Sequence, residues 1–414
     1  MDMRNRLVKN FSWSFMGGLI YAFTQWLILI IITRVGSAYD AGIYSLGLAI
    51  SAPFVLLLNL NFTALQSTDL TVQYGFDSFK RIRIFGNASF IIIFSIVLLL
   101  TNYNFEIAMV LLLIAISKVI ESFSELYYGL FQYHERLDIV SKSTILRGIL
   151  GTLVFWLGYI IFKELYFALI FLIIVWLVNL LFYDCKNGKK MIKNMPEIIQ
   201  KMNMMDLLKI GIPLGVVSFL ASFNVNLPRL VLDYYLSLED LGYFSAVFYM
   251  VLIIGKFMTS LSSTLLPRMA RLFEENNKTS FLIILKILIL LLLSFSYATI
   301  LFSYYFGGEI LTILYGEEYF KLQTLFVLIM VYGLFNYLGF VFEMSLNAVK
   351  VYQFRLTDEI IATLVIIVSS LYFIPHFGIN GGAIALIISA FIKCCIFLIL
   401  FSFKYLTLWR WEVN

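Results

Sequence analysis

The stretch DCKNGKKMIKNMPEIIQKMNMMDL, residues 184–207, is the longest polar interval in the chain and ends at its midpoint. Six apolar runs precede it, at about 11–33, 42–64, 84–101, 107–130, 143–162 and 166–183. Six follow it, at about 208–232, 242–265, 281–304, 321–347, 358–374 and 383–403. A membrane-crossing helix needs about 17–25 predominantly apolar residues, and each run is long enough. Of 414 residues, 61% are hydrophobic and 13% charged, against about 25% charged in soluble domains. Mean hydropathy is +0.93. These features predict an all-α polytopic membrane protein of about 12 transmembrane helices. Its halves are 1–206, ending in a basic linker at about 184–206, and 207–414.

The basic residues orient the helices. With both termini cytoplasmic, 21 Lys and Arg fall inside, including Lys80, Arg81, Arg83, Arg136, Lys142 and the six from Lys186 to Lys209. Only Arg34, Lys163 and Lys321 fall outside. That asymmetry is a positive-inside signal, and an odd number of spans would scramble it. It also accounts for the net charge of +5, so no nucleic-acid partner is implied. The apolar run after Lys9 lacks a small-residue cleavage site and reads as an uncleaved first span. A short internal repeat supports two similarly oriented halves. Shifting by 200 residues lays Asp40-Ala-Gly-Ile-Tyr-Ser45 on Asp240-Leu-Gly-Tyr-Phe-Ser245, as in transporters with parallel repeats.

Polar side chains are costly in hydrocarbon, so their helical phase marks the side facing protein or water. In the seventh span Ser218, Ser222, Asn226, Arg229 and Asp233 fall within about 80° at about 100° per residue. Ser245, Tyr249, Lys256, Ser260 and Ser263 align likewise in the eighth. Ser14, Gly18, Tyr21 and Gln25 do so in the first, and Ser45, Asn59, Thr63 and Gln66 in the second. Pro53 and Pro228 are expected to kink their helices toward those polar sides. Close helix packing explains Ser and Thr stripes, and it suffices for the first two spans as well as a cavity does. Asn, Arg and Lys in the seventh and eighth point to a water-filled cavity. There Arg229 and Lys256 would suit an anionic substrate, since arginine's planar fork matches phosphate.

Other intramembrane charges have local explanations. Lys286 can snorkel; Lys393 lacks an acidic sequence neighbour; Arg34 sits at the outer end of the first span as an interfacial anchor. Lys118, Glu121 and Glu125 of the fourth span lie within about 60° of one another. Two carboxylates against one lysine leave a spare negative charge unless Arg147 supplies the match. A desolvated glutamate that titrates would serve proton or cation coupling; a self-neutralising ion pair is the structural alternative. Asp69 is a weaker coupling candidate at the inner end of the second span. No phosphate-cradling glycine loop, zinc-protease or hydrolase motif is present, so neither a cofactor nor ATP hydrolysis is expected. Cys185, Cys394 and Cys395 suggest no disulfide framework, and His134 and His376 are expected on opposite membrane faces, so no metal is expected.

Several strings carry a family resemblance. They are Asn10-Phe-Ser-Trp13 leading to Gln25, Thr33-Arg34-Val-Gly36, Ala41-Gly-Ile-Tyr-Ser45, Gly129-Leu-Phe-Gln132 and Gly211-Ile-Pro213. Leu241-Gly-Tyr-Phe-Ser245, Leu266-Pro-Arg268 and Ile374-Pro-His-Phe-Gly378-Ile-Asn-Gly-Gly-Ala-Ile-Ala385 follow in order. Over almost its whole length the chain resembles the polysaccharide-transporter branch of the multidrug/oligosaccharidyl-lipid/polysaccharide exporter superfamily, the O-antigen or capsular repeat-unit flippases. The resemblance implies two six-helix lobes around a central cavity, alternating access, and lining by spans 1, 2, 7 and 8. It implies a bacterial cytoplasmic-membrane protein, not an enzyme, that moves an undecaprenyl-diphosphate-linked oligosaccharide from the inner to the outer leaflet among membrane lipids. H+ or Na+ as coupling ion and polysaccharide polymerase machinery are further expected partners. The site residues would be Arg229 and Lys256, with Asn226, Ser222, Ser260, Gln25, Asn59 and Arg34. A drug or metabolite exporter of the same superfamily is the first rival. A membrane glycosyltransferase or repeat-unit polymerase is the second.

Overall fold

A computed structural model describes residues 3–68, 75–101, 103–193, 204–351 and 353–408, excluding side chains at 3–9, 11, 64, 68, 204, 256, 257, 259–264 and 404–408. The described residues are helical, joined by short turns. In the first half α1 is Met3–Val35, α2 Ala38–Asn59, α3 Phe62–Thr68, α4 Phe76–Leu100, α5 Phe105–Tyr133 and α6 Leu137–Phe162. Then α7, Leu165–Asn179, passes through a π-helical turn at Leu180–Asp184 into α8, Cys185–Ile192. The second half holds α9 Met204–Tyr235, α10 Leu238–Glu274, α11 Lys278–Tyr315, α12 Gln323–Ala348 and α13 Arg355–Leu408. Eleven of these helical stretches are long and apolar enough to cross a membrane.

The last of them is itself a helical hairpin. The backbone of α13 leaves helical geometry at Gly378, with φ +57° and ψ −137°, a conformation that costs a side chain but not glycine. A Cβ at Gly381 would overlap the Phe373 carbonyl, so the chain reverses over two glycines. The arms pair antiparallel: the Ser389 hydroxyl donates to the Ala362 carbonyl at 3.5 Å. Counting its two arms separately gives about twelve apolar helices among the described residues, in keeping with the apolar runs. Gly381→Ala should open this hairpin and lower the melting temperature in detergent by several degrees; unchanged melting would contradict the close approach.

The sequence repeat has a local cause. Ser37 Oγ accepts from Asp40 N at 3.2 Å at the start of α2. Ser237 Oγ accepts from Asp240 N at 3.1 Å at the start of α10. Each serine satisfies an orphan helix N–H and each aspartate faces the helix dipole. Five residues on, Ser45 and Ser245 are both fully buried. Two expectations about continuity are revised. The second apolar run is not one helix, because Leu60 (φ 52°) and Asn61 (φ 51°) are left-handed and divide α2 from α3. The linker begins as structure, since 185–192 continue α7 as helix α8.

Two compact units are formed, Met1–Asn226 and Leu227–Asn414, dividing α9 internally. In the first, α1 packs on α6, α2 and α3 on α5, and α5 and α6 on α7. In the second, α12 packs on α10, α11 and α13. Both units bury an apolar core and yet present large apolar side chains on their outer faces. Leu99, Leu100, Leu291, Val368 and Ile399 are exposed, whereas Arg83, Arg147, Asp184 and Asp358 are buried. Apolar bands facing outward and polar groups paired inward are what hydrocarbon solvent favours.

Candidate functional site

The expected carboxylate–lysine group of α5 is present and is larger than the sequence suggests. Glu121 Oε2 accepts from Lys118 Nζ at 2.8 Å, and Oε1 accepts from Tyr21 Oη at 2.6 Å and Arg147 Nη2 at 2.9 Å. Arg147 is 2% exposed. Its guanidinium lies 4.7 Å from the Tyr21 ring centroid and 4.9 Å from that of Trp176. Arg147 therefore supplies the missing positive charge, and Glu121 is held from α1, α5 and α6 at once. Deeper along the same interior, Ser143 Oγ accepts from Asn179 Nδ2 at 2.8 Å and pairs with Tyr128 Oη at 2.8 Å. Asp184, on the π-helical turn, is fully buried.

Glu125, one helical turn after Glu121, has a different environment. Its side chain is 39% exposed. Its contacts are long: Asn59 Nδ2 donates at 3.4 Å and Arg83 Nη1 stands 3.8 Å away. Arg83 itself is 1% exposed and donates to Ser122 Oγ at 3.2 Å. Asn87 Nδ2 donates to the same hydroxyl at 3.0 Å, and that hydroxyl donates to Asn59 Oδ1 at 2.7 Å. The sequence treats Arg83 as a loop cation. Arg83 and Asn87, four residues apart, share one helix face, and α5 meets that face at Ser122. In the first unit Lys118 and Arg147 thus face Glu121, and Arg83 stands beside Glu125.

The polar stripe of the second span is spent on packing. Asn59 is 4% exposed, Gln66 6%, and Ser45 fully buried. Thr63 Oγ1 donates to the Glu125 carbonyl at 3.4 Å, and a Cβ at Gly129 would overlap Gln66. Asn59 faces α5, where it meets Ser122 and Glu125. Gln25 is half-buried and Arg34 exposed at the end of α1. Asp69 lies outside the described residues.

On α9, Asn226 Nδ2 donates to the Ser222 carbonyl at 2.8 Å, and Ser222 is half-buried. Arg229 is 3% exposed, with its guanidinium 4.8 Å from the Phe248 ring centroid and 5.5 Å from that of Tyr249. Stacking uses the faces of the guanidinium, whereas its N–H donors lie in its plane. The side chains of Lys256 and Ser260 lie outside the described residues. Lys393 acquires the acidic partners absent from its own segment. The α13 reversal brings its Nζ to 2.5 Å from Glu359 Oε1 and 3.5 Å from Asp358 Oδ2. Contacts spanning 34 residues of one helical hairpin have no local sequence signal.

A family model described as polysaccharide biosynthesis protein matches residues 7–273. The chain belongs to that family. It is 26% identical over 391 residues to the capsular polysaccharide biosynthesis protein CapF of Staphylococcus aureus, covering 93% of this chain and 97% of that protein. Its fold is similar to that of the lipid II flippase MurJ in an inward closed conformation. That match has a TM-score of 0.70 and 14% identity, covering 95% of this chain and 87% of MurJ. The Vibrio cholerae MATE transporter VcmN in its bent form is similar too, with a TM-score of 0.62 and 12% identity, covering 97% of this chain and 98% of that one. A transporter of Pyrococcus furiosus from the same superfamily matches with a TM-score of 0.65 and 12% identity, covering 98% and 96%. This member of the polysaccharide biosynthesis family is therefore a multi-pass membrane protein with the architecture of that transporter superfamily.

Proposed function

We propose that the protein is a flippase carrying an undecaprenyl-diphosphate-linked oligosaccharide, a capsule, O-antigen or exopolysaccharide repeat unit, from the inner to the outer leaflet. The carrying observation is membership of the polysaccharide biosynthesis family in a chain whose fold is that of membrane transporters. The 21-to-3 bias of basic residues supports both termini in the cytoplasm of a bacterial cell. Lobes 1–206 and 207–414 would rock about a cavity to give alternating access, with H+ or Na+ as the coupling ion. Polymerase machinery would receive the product. Arg229 and Lys256 are proposed to hold the diphosphate, with Asn226, Ser222, Ser260, Gln25, Asn59 and Arg34 near the sugars.

Leaflet sidedness of a fluorescent undecaprenyl-diphosphate oligosaccharide in proteoliposomes tests this. Protein-dependent movement is expected, and its acceleration by an imposed pH gradient would mark H+ as the coupling ion. No movement of several glycans by folded protein would overturn the flippase reading and point to export of another solute. Glu125 is the proposed coupling carboxylate, since Glu121 is locked by three donors while Glu125 is half-buried and held only by long contacts. Glu125→Gln should abolish the response to the pH gradient at normal expression. A response retained in full would return Glu125 to a structural role.

A further inference from the structure

The feature left unused by transport is helix α8. Its lysines Lys186, Lys189 and Lys190, and Lys193 at its C-cap, are all exposed. At about 100° per residue they share an arc of about 100°. The opposite side is docked: a Cβ at Gly188 would overlap the Tyr127 ring, and Cys185 Sγ donates to Tyr127 Oη at 3.3 Å. No acidic residue occurs between Cys185 and Lys193. None of the four lysines forms an ion pair with another described residue, whereas Arg136 and Lys209 at neighbouring helix ends are paired with Asp138 and Asp206.

The π-helical turn sets this orientation. Its extra residue re-phases the helix beyond it by about 100°. It buries Asp184 and seats Gly188 on α5, which leaves the lysine arc on the open side. Depth follows from length. From Leu165, at about 1.5 Å per residue, about 30 Å of hydrocarbon is crossed by residue 185. Lys186–Lys193 then fall across the headgroup layer and its aqueous edge.

We infer that the lysine face of α8 is a binding site for the phosphate headgroups of anionic phospholipids. Four ammonium groups at headgroup depth, without an ion-pair partner among the described residues and on a docked helix, match a layer of negative phosphodiesters. Each lysine near such a surface is worth about fivefold in binding. Assignment to the cytoplasmic leaflet rests on the orientation proposed above; the headgroup chemistry does not.

Native mass spectrometry of the full-length protein in detergent, with phosphatidylglycerol against phosphatidylcholine, tests the inference. The wild-type protein should retain phosphatidylglycerol at least tenfold over phosphatidylcholine. Replacing all four lysines by Gln, or raising the salt, should reduce that preference to under threefold at unchanged melting temperature. Equal preference in wild type and variant would overturn the site. So would displacement of phosphatidylglycerol by equimolar undecaprenyl diphosphate, which would make the face a substrate-capture site instead. If the fourfold variant does not fold, Lys190→Gln with Lys193→Gln at the exposed helix end should still lose at least fivefold. Full selectivity in that double variant would equally overturn the inference.

Discussion

Arg147→Ala is expected to abolish the folded protein. The guanidinium is 2% exposed, bonded to Glu121 and enclosed by Tyr21 and Trp176. Removing it leaves Glu121 inside the membrane with Lys118 as its one cationic partner, and opens a void between two aromatic rings. Breaking a buried ion pair from one side costs about 3–5 kcal/mol, a large share of a typical stability of about 5–15 kcal/mol. Fluorescence-detected size-exclusion chromatography should show loss of the monodisperse peak. Arg147→Lys should rescue little, because an ammonium cannot stack between the Tyr21 and Trp176 rings as a guanidinium does. A monodisperse, fully stable Arg147→Ala protein would remove Glu121, Lys118 and Arg147 from the framework of the fold.

Arg229→Ala is expected to stop translocation while leaving insertion intact. Its ring partners Phe248 and Tyr249 remain to pack α9 against α10. Loss of a charged partner from a desolvated pair with phosphate costs about 2–5 kcal/mol, so transport should fall by about 30-fold or more. Arg229→Lys should keep part of the activity, since it retains charge but not the planar fork. Lys256→Ala should act in the same direction. Wild-type transport in both alanine variants would remove the cationic diphosphate site while leaving the fold untouched.

The contrast between Glu121 and Glu125 shows how far a linear reading reaches. Phase alone places both on one face of α5 with Lys118, because i to i+4 spacing is fixed by the helix. Which of them is locked depends on Tyr21, Arg147, Asn59 and Arg83, contributed by four other helices. Arg83 marks the same limit. As one of a cluster of cations before an apolar run it reads as a topology signal, and only the approach of α5 buries it.

The membrane class, the twelve apolar runs, the polar faces and the family resemblance are legible along the chain. Each is a property of local hydropathy, helical period or short strings, and needs no knowledge of neighbours. The tertiary structure alone decided that Asn59 packs inward and that Lys393 meets Asp358 and Glu359 across a reversal at Gly378. It also decided that a π-helical turn directs the lysines of α8 outward. Those outcomes depend on which helices lie side by side, and in an apolar solvent that choice is made by interhelical fit and charge pairing, not by hydropathy.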